Sequence, residues 1–197
     1  MRKDELRTFF AVEIDAAARS AAHTVAQQLA AAPGGDVVRW VRPESYHVTL
    51  RFLGPTPRDC IGDLVAAAQR ATRAIAPFDL RFGALAGLPS QGPRAIVLDL
   101  VPHEPIAELA RQVESAVVTA GFTSDPRTFR AHLTLGRIRE RRGRPPRLDP
   151  ALSPTDAAPI AVASFALFQS DLDAGGARYT PLERIALERG SQTEFSP

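Results

Sequence analysis

The fold is decided by Tyr46-His47-Val48-Thr49-Leu50-Arg51-Phe52-Leu53-Gly54, because its His-x-Thr-x pattern returns 85 positions later in Ala131-His132-Leu133-Thr134-Leu135-Gly136-Arg137. Successive side chains of a strand point to opposite faces, so the histidine and the threonine of each copy share one face. The aliphatic residues between them share the other face. Each copy therefore predicts a strand with an imidazole and a hydroxyl on a polar face and an aliphatic pair in a core. The other two histidines, His23 and His103, lie outside such a motif.

Length and composition are those of a soluble globular protein. The chain has 197 residues, of which 45% are apolar and 23% charged, and its formal net charge is only +2. The single cysteine, Cys60, excludes an intrachain disulfide and a cysteine metal cluster. No signal-peptide block opens the chain, and no apolar stretch approaches the roughly 20 residues of a membrane span. We expect a cytoplasmic monomer that does not associate with membranes.

The order of predicted elements indicates an α+β fold. Helices are expected over 16–32, 58–76 and 105–120, and strands over 8–14, 37–41, 47–53, 78–85, 95–101, 128–137, 160–168 and 178–188. Several strands follow one another without a helix between them, which implies antiparallel pairing. The histidine motifs lie in different halves of the chain. We therefore expect one domain over 1–197 made of two similar intertwined lobes that face each other across a cleft, each with an antiparallel sheet and outer helices.

Two imidazoles on opposed polar faces suit the hydrolysis of a cyclic phosphodiester. The unprotonated imidazole takes a proton from the attacking water, and the protonated one gives a proton to the departing ribose oxygen. The hydroxyls of Thr49 and Thr134, with nearby arginines, would hold the phosphate oxygens. Strand alternation nominates Arg51 beside the first motif and Arg130 beside the second, although either arginine could equally be a solvated strand residue.

The sequence also bears on three other kinds of site. No acidic residue or cysteine lies in phase beside either histidine, so neither a metal nor another cofactor is expected. Trp40 could stack on a base, or it could be a core residue or lie between the lobes. Six arginines lie close together in the sequence: Arg137, Arg139, Arg141, Arg142, Arg144 and Arg147. This cluster either binds an RNA backbone or belongs to a solvated loop.

With both motifs and their flanks in view, the chain resembles the 2H phosphoesterases, in particular the RNA 2′,3′-cyclic phosphodiesterases also called 2′-5′ RNA ligase-like proteins. The matching segments cover nearly the whole chain: 9–14, 39–54, 129–137, 167–170 and 176–179. The resemblance implies a bilobal α+β fold with pseudo-twofold symmetry and no metal. It also implies hydrolysis of a terminal 2′,3′-cyclic phosphate on RNA to a 2′-phosphate, and it leaves 2′-5′ ligation of RNA ends open.

The resemblance also implies a role for each site residue. His47 would be the proton donor and His132 the proton acceptor, while Thr49, Thr134 and Arg137 would bind phosphate. Strict alternation instead places Arg137 on the face of the aliphatic residues, a conflict that a bulge or turn at Gly136 would resolve. Ala131 departs from the family, which usually has proline there.

Two alternatives to RNA hydrolysis stay open. One is a phosphodiesterase for a small nucleotide cyclic phosphate, such as that of ADP-ribose. The other is a non-catalytic RNA-binding protein of the same fold. The presence of both histidines and both threonines argues against this second alternative.

Overall fold

The computed structural model describes residues 4–139, 143–173 and 176–188. Within these ranges the chain forms three helices and nine strands. In chain order they are β1 (Glu5–Glu13), α1 (Ala16–Ala31), β2 (Val38–Trp40), β3 (His47–Pro57), α2 (Ile61–Thr72), β4 (Phe78–Leu88), β5 (Ala95–Val101), α3 (His103–Thr119), β6 (His132–Ile138), β7 (Ile160–Val162), β8 (Ser164–Asp173) and β9 (Gly176–Ala186).

The sheet is antiparallel at every described pairing, and its strand order is β7-β4-β5-β6-β3-β1-β8-β9. The short strand β2 also pairs with β6, beyond the point where β3 leaves it. The two histidine strands, β3 and β6, are neighbours at the centre of this order. Each of them leads outward into a half of four strands.

The register pair that joins β3 to β6 is Val48 with Leu133. Both side chains are fully buried in the main core. Truncating a buried leucine typically costs about 2–5 kcal/mol, because it loses burial and leaves a cavity. These aliphatic positions of the motifs therefore stabilise the junction that carries the site.

All three helices share one core with one face of the sheet. Helix α1 begins after Asp15, whose carboxylate accepts a hydrogen bond from the Ala18 amide at 2.7 Å and so caps the helix. The buried side chains of all three helices lie in one cluster with strand residues such as Phe10, Val48 and Leu133. The opposite face carries a smaller aromatic cluster and remains open over the histidine motifs.

The α+β fold is confirmed, and the predicted elements differ from the observed ones at their ends. The predicted strand over 160–168 is divided between β7 and β8, and the strand predicted from 128 begins only at His132. The helix predicted over 58–76 is shorter, because 58–60 form a 3₁₀ turn before α2. Among the described residues, no helix combines the length and the apolar character needed to cross a membrane.

Candidate active site

The register between β3 and β6 brings the two motifs together. Because Val48 lies opposite Leu133 in an antiparallel pair, His47 lies beside Thr134 and Thr49 lies beside His132. All four side chains are half-buried and lie on the face away from the helices. Two imidazoles and two hydroxyls from distant parts of the chain therefore form one polar cluster at the centre of the sheet.

Each imidazole is held by the same local hydrogen bond. Nδ1 of His47 lies 2.8 Å from the carbonyl oxygen of Ser45, and Nδ1 of His132 lies 2.7 Å from that of Arg130. A carbonyl oxygen only accepts, so Nδ1 carries a proton in both rings. Nε2 is then the atom left for chemistry in both rings, and that of His47 lies 3.1 Å from the Thr49 hydroxyl.

Arg137 lies on the same face because the strand contains a bulge. Thr134 pairs with Val97 and Arg137 with Ala95, so three steps on β6 correspond to two on β5, and the register shifts there. Ala95 and Val97 share a face of β5, and directly paired residues share a face as well. The extra residue therefore turns Arg137 toward the histidines, which resolves the conflict with strict alternation.

Arg51, by contrast, is turned away by a bulge in β3. Thr49 pairs with Ala11 and Arg51 pairs with Phe10, so Leu50 is the extra residue. Phe10 is fully buried on the helix side, and Arg51 shares that side. The prediction that Arg51 binds phosphate is wrong for this geometry, because alternation fails where the register shifts.

The guanidinium of Arg51 joins three separate parts of the chain. It donates to the carboxylate of Glu114 on α3 and to the carbonyl oxygens of Phe52 and Thr123. Asp125 lies 3.6 Å from Nη1, and the side chain of Arg51 is only 11% exposed. These bonds use the donors of the guanidinium in a structural role.

We expect Arg51→Met to destabilise the protein by about 1–3 kcal/mol, because partly buried acceptors lose their donor. The value of kcat/KM for a cyclic phosphate should change little. Thermal unfolding and steady-state kinetics of the same preparation measure the two effects. Arg127→Met is the matched control, since that side chain is 73% exposed and, among the residues described, its ion pair is with Asp125. A large loss of kcat/KM in a stably folded Arg51→Met protein would contradict this and show that Arg51 takes part in binding or catalysis.

Arg130 lies beside the site, and its charge is already paired. Its Nε and Nη2 donate to the two carboxylate oxygens of Asp99 at 3.0 and 2.7 Å. Asp99 itself lies opposite His132 in the β5–β6 pairing. The structure therefore places Arg130 in a two-pronged ion pair at the edge of the cluster and gives no support to its predicted role in phosphate binding.

Trp40 faces the core and not the histidines. Its ring packs against the main core, and its Nε1 donates to the carbonyl oxygen of Gly35 at 3.0 Å. A Cβ on Gly136 would lie only 3.0 Å from the Trp40 ring and 2.5 Å from Val38, which explains why this motif position is glycine. The structure therefore places Trp40 as a core residue and does not support the suggestion that it stacks on a base.

An aromatic cluster that the sequence did not single out lies against His47. The ring of Phe9 is 4.9 Å from the His47 ring, and Tyr179 meets the same imidazole edge-on at 4.9 Å. Phe168 stacks on Phe9 at 5.3 Å, and Phe52 lies 5.6 Å from Phe9 with 42% of its surface exposed. The Phe9-Phe10 pair was a usable signal, because adjacent strand residues must face opposite sides. The position of Phe52 depends on the bulge at Leu50.

The remaining arginines of the predicted cluster are divided. Arg139, Arg144 and Arg147 are exposed on the segment after β6. Arg141 and Arg142 lie outside the described residues.

The surroundings of the site disfavour the charged form of both imidazoles. The pKa of His47 is lowered to about 4, mainly by burial; the charges of Arg137 and His132 act in the same direction, and the bond to Ser45 opposes them. Burial also lowers the pKa of His132; Arg130 and Arg137 act in the same direction, while Asp99 and the bond to the Arg130 carbonyl oppose them. The effect of Arg137 on both rings agrees with its place on the face of the histidines.

Comparison with known proteins agrees with this fold. Residues 16–174 match the 2′-5′ RNA ligase superfamily. An RNA 2′,3′-cyclic phosphodiesterase of Thermus thermophilus is 30% identical over 168 residues, which cover 80% of each chain. The relative of that name in Archaeoglobus fulgidus is 28% identical over 137 residues, or 69% of this chain and 74% of its own.

A solved structure gives the same result. The crystal structure of E. coli LigT complexed with 3′-AMP superposes with a TM-score of 0.73 at 27% identity, covering 93% of this chain and 98% of that one. This chain belongs to the 2′-5′ RNA ligase superfamily, a family of 2H phosphoesterases. The resemblance seen in the two motifs is thereby confirmed.

Proposed function

We propose that this protein hydrolyses the terminal 2′,3′-cyclic phosphate of RNA to a 2′-phosphate, with its two histidines as general acid and general base. The observation that carries the proposal is the single register pair, Val48 with Leu133, which gathers both His-x-Thr motifs into one cluster. The names of the Thermus and Archaeoglobus relatives support this substrate class.

In this mechanism the phosphate lies between the two Nε2 atoms. Nε2 of His132 takes a proton from water as the water attacks phosphorus, and protonated His47 gives its Nε2 proton to the departing ribose oxygen. The hydroxyls of Thr49 and Thr134 and the guanidinium of Arg137 bind the non-bridging oxygens, where negative charge grows. The backbone carbonyls that hold Nδ1 keep both rings in orientation.

The aromatic cluster supplies a surface for the nucleobase of the terminal nucleotide. Phe52 is exposed beside Phe9, which in turn contacts His47. Stacking on an aromatic side chain is worth about 1–3 kcal/mol per base and tolerates any base. We assign base stacking to Phe52 in place of Trp40, on the side of the site where His47 meets the ribose.

One assay tests the proposal and separates its alternatives. Turnover is compared for a nucleoside 2′,3′-cyclic phosphate, an RNA oligomer that ends in one, and an ADP-ribose cyclic phosphate. Phosphorus NMR of the products identifies the isomer. We expect RNA to be turned over to a pure 2′-phosphate, because opposed histidines fix one leaving oxygen. Preference for the ADP-ribose compound, or binding without turnover, would support one of the alternatives, and a mixture of isomers would contradict the opposed geometry.

The pH dependence follows from the lowered pKa values. Activity needs one proton on the histidine pair, so kcat/KM falls when both rings are charged and when both are neutral. Both pKa values lie below the usual 6.5, and we expect the maximum of kcat/KM below pH 6.5. Bound phosphate favours the charged imidazole and raises its pKa, so the profile of kcat should lie at higher pH. Profiles of both constants measure this, and a kcat/KM maximum on the alkaline side of 6.5 would contradict it.

We expect activity to survive chelation. Among the residues that the structure describes, no group of three or more His, Cys, Asp or Glu side chains is arranged to hold a metal ion. Acid–base chemistry is therefore assigned to the imidazoles. The rate is measured after extensive dialysis against EDTA and again after each divalent metal is added back. Loss of activity that one metal restores would overturn this assignment.

A further inference from the structure

A second arginine stands directly beside Arg137. In the pairing of β2 with β6, Arg39 lies opposite Arg137, and the next residue of β2, Trp40, lies opposite Gly136. Paired residues share a face, so Arg39 lies on the face of the histidines and away from the core that holds Trp40. Both arginines are exposed.

Two like charges directly opposite each other in a sheet destabilise it unless an anion lies between or beside them. In the part of the chain that the structure describes, neither guanidinium has a carboxylate within ion-pair distance. The neighbour of Arg137 on its other side is Ala95, which carries no charge. The pair therefore presents two unneutralised cations to the open face.

The position of Arg39 relative to the histidines indicates what it binds. Strands β2 and β3 lie along the same edge of β6, and His47 lies beside Thr134 on that strand. Because of the bulge in β6, Arg39 is two residue positions from His47, or about 7 Å along the sheet. Arg137 lies on the same face of β6 as His132 and Thr134, after the bulge. Relative to the reacting phosphate, Arg39 therefore lies on one side along the strands, and Phe9 and Phe52 lie on the other.

We propose that Arg39 binds the phosphodiester that joins the terminal nucleotide of the RNA to the nucleotide before it. Arg137 binds the cyclic phosphate, and Arg39 binds the next phosphate along the strand. The pair then makes the enzyme selective for RNA ends over nucleoside cyclic phosphates. This inference rests on the proposed function and names the substrate class more closely.

The test uses three substrates, of which the first lacks that phosphate, the second carries it and the third has an uncharged group in its place. They are adenosine 2′,3′-cyclic phosphate, the dinucleotide ApA with a terminal 2′,3′-cyclic phosphate, and the same dinucleotide with an uncharged methylphosphonate linkage. For Arg39→Gln we expect kcat/KM on the charged dinucleotide to fall roughly tenfold, as for one lost charge-assisted hydrogen bond at an exposed site. The other two substrates should change less than about twofold, because they lack the anion that Arg39 binds. Arg70→Gln, an exposed arginine on the helix side, is the control for net charge.

Each outcome is decisive. If Arg39→Gln slows all three substrates equally, Arg39 acts on the cyclic phosphate itself and the inference is wrong. If it slows none of them, the side chain is merely solvated and the inference is also wrong. Wild-type enzyme that turns over none of the substrates would instead refute the proposed function. The salt dependence gives a second measurement: the slope of log kcat/KM against log salt for the charged dinucleotide should flatten by roughly 0.7 in the variant.

Discussion

His47→Ala and His132→Ala are each expected to lower kcat/KM on a terminal 2′,3′-cyclic phosphate by roughly 10²–10⁴-fold, the usual contribution of one general acid or base. Both rings present Nε2 for proton transfer, since Nδ1 is held by a backbone carbonyl in each. They act on one transition state, so kcat/KM of the double variant should be only slightly lower than that of the less active single variant. Steady-state kinetics of the three variants measure this.

His103→Ala is the control for the loss of a histidine, because His103 is exposed at the start of α3. It should keep the wild-type rate. A His47 or His132 variant with near-wild-type kcat/KM would remove that residue from the mechanism. Losses that multiply in the double variant would show that the two rings act in separate steps.

The sequence predicted which face each motif side chain occupies, because that pattern depends only on alternation. His47, Thr49, His132 and Thr134 lie where a regular strand puts them, and one register pair then joins the two copies. The partner of each strand could not be derived from the spacing, since pairing depends on contacts across the whole sheet. The repeat was the only indication that β3 and β6 would meet.

The arginines were harder to predict because two bulges change their faces. Leu50 is the extra residue that turns Arg51 toward Glu114, and a bulge in β6 turns Arg137 toward the histidines. A bulge shifts every following side chain by one position, and local sequence seldom reveals it. The resemblance nominated Arg137 where alternation alone excluded it. For the same reason, strict alternation did not predict the position of Phe52, which the bulge in β3 places on the open face.

Arg137→Gln is expected to have the second largest effect, a loss of roughly 10²–10³-fold in kcat, comparable with the removal of one donor from a site of developing negative charge. The guanidinium lies on the histidine face and its charge reaches both imidazoles. It should therefore stabilise the transition state more than the bound substrate, and KM should change less than kcat.

The same substitution makes a second prediction with a definite sign. Arg137 lowers the pKa of both His47 and His132, so its removal should raise both values and move the kcat/KM profile to higher pH. Arg137→Lys keeps the positive charge and loses the two-pronged geometry; it should lose rate while its profile stays in place. Arg130→Gln is a control for the rate alone: that arginine is paired with Asp99, so its loss should leave most of kcat intact, but it also removes a charge that lowers the pKa of His132. A Gln variant of Arg137 that is slow but has the wild-type pH profile would mean that the guanidinium does not lie beside the two imidazoles in the working enzyme.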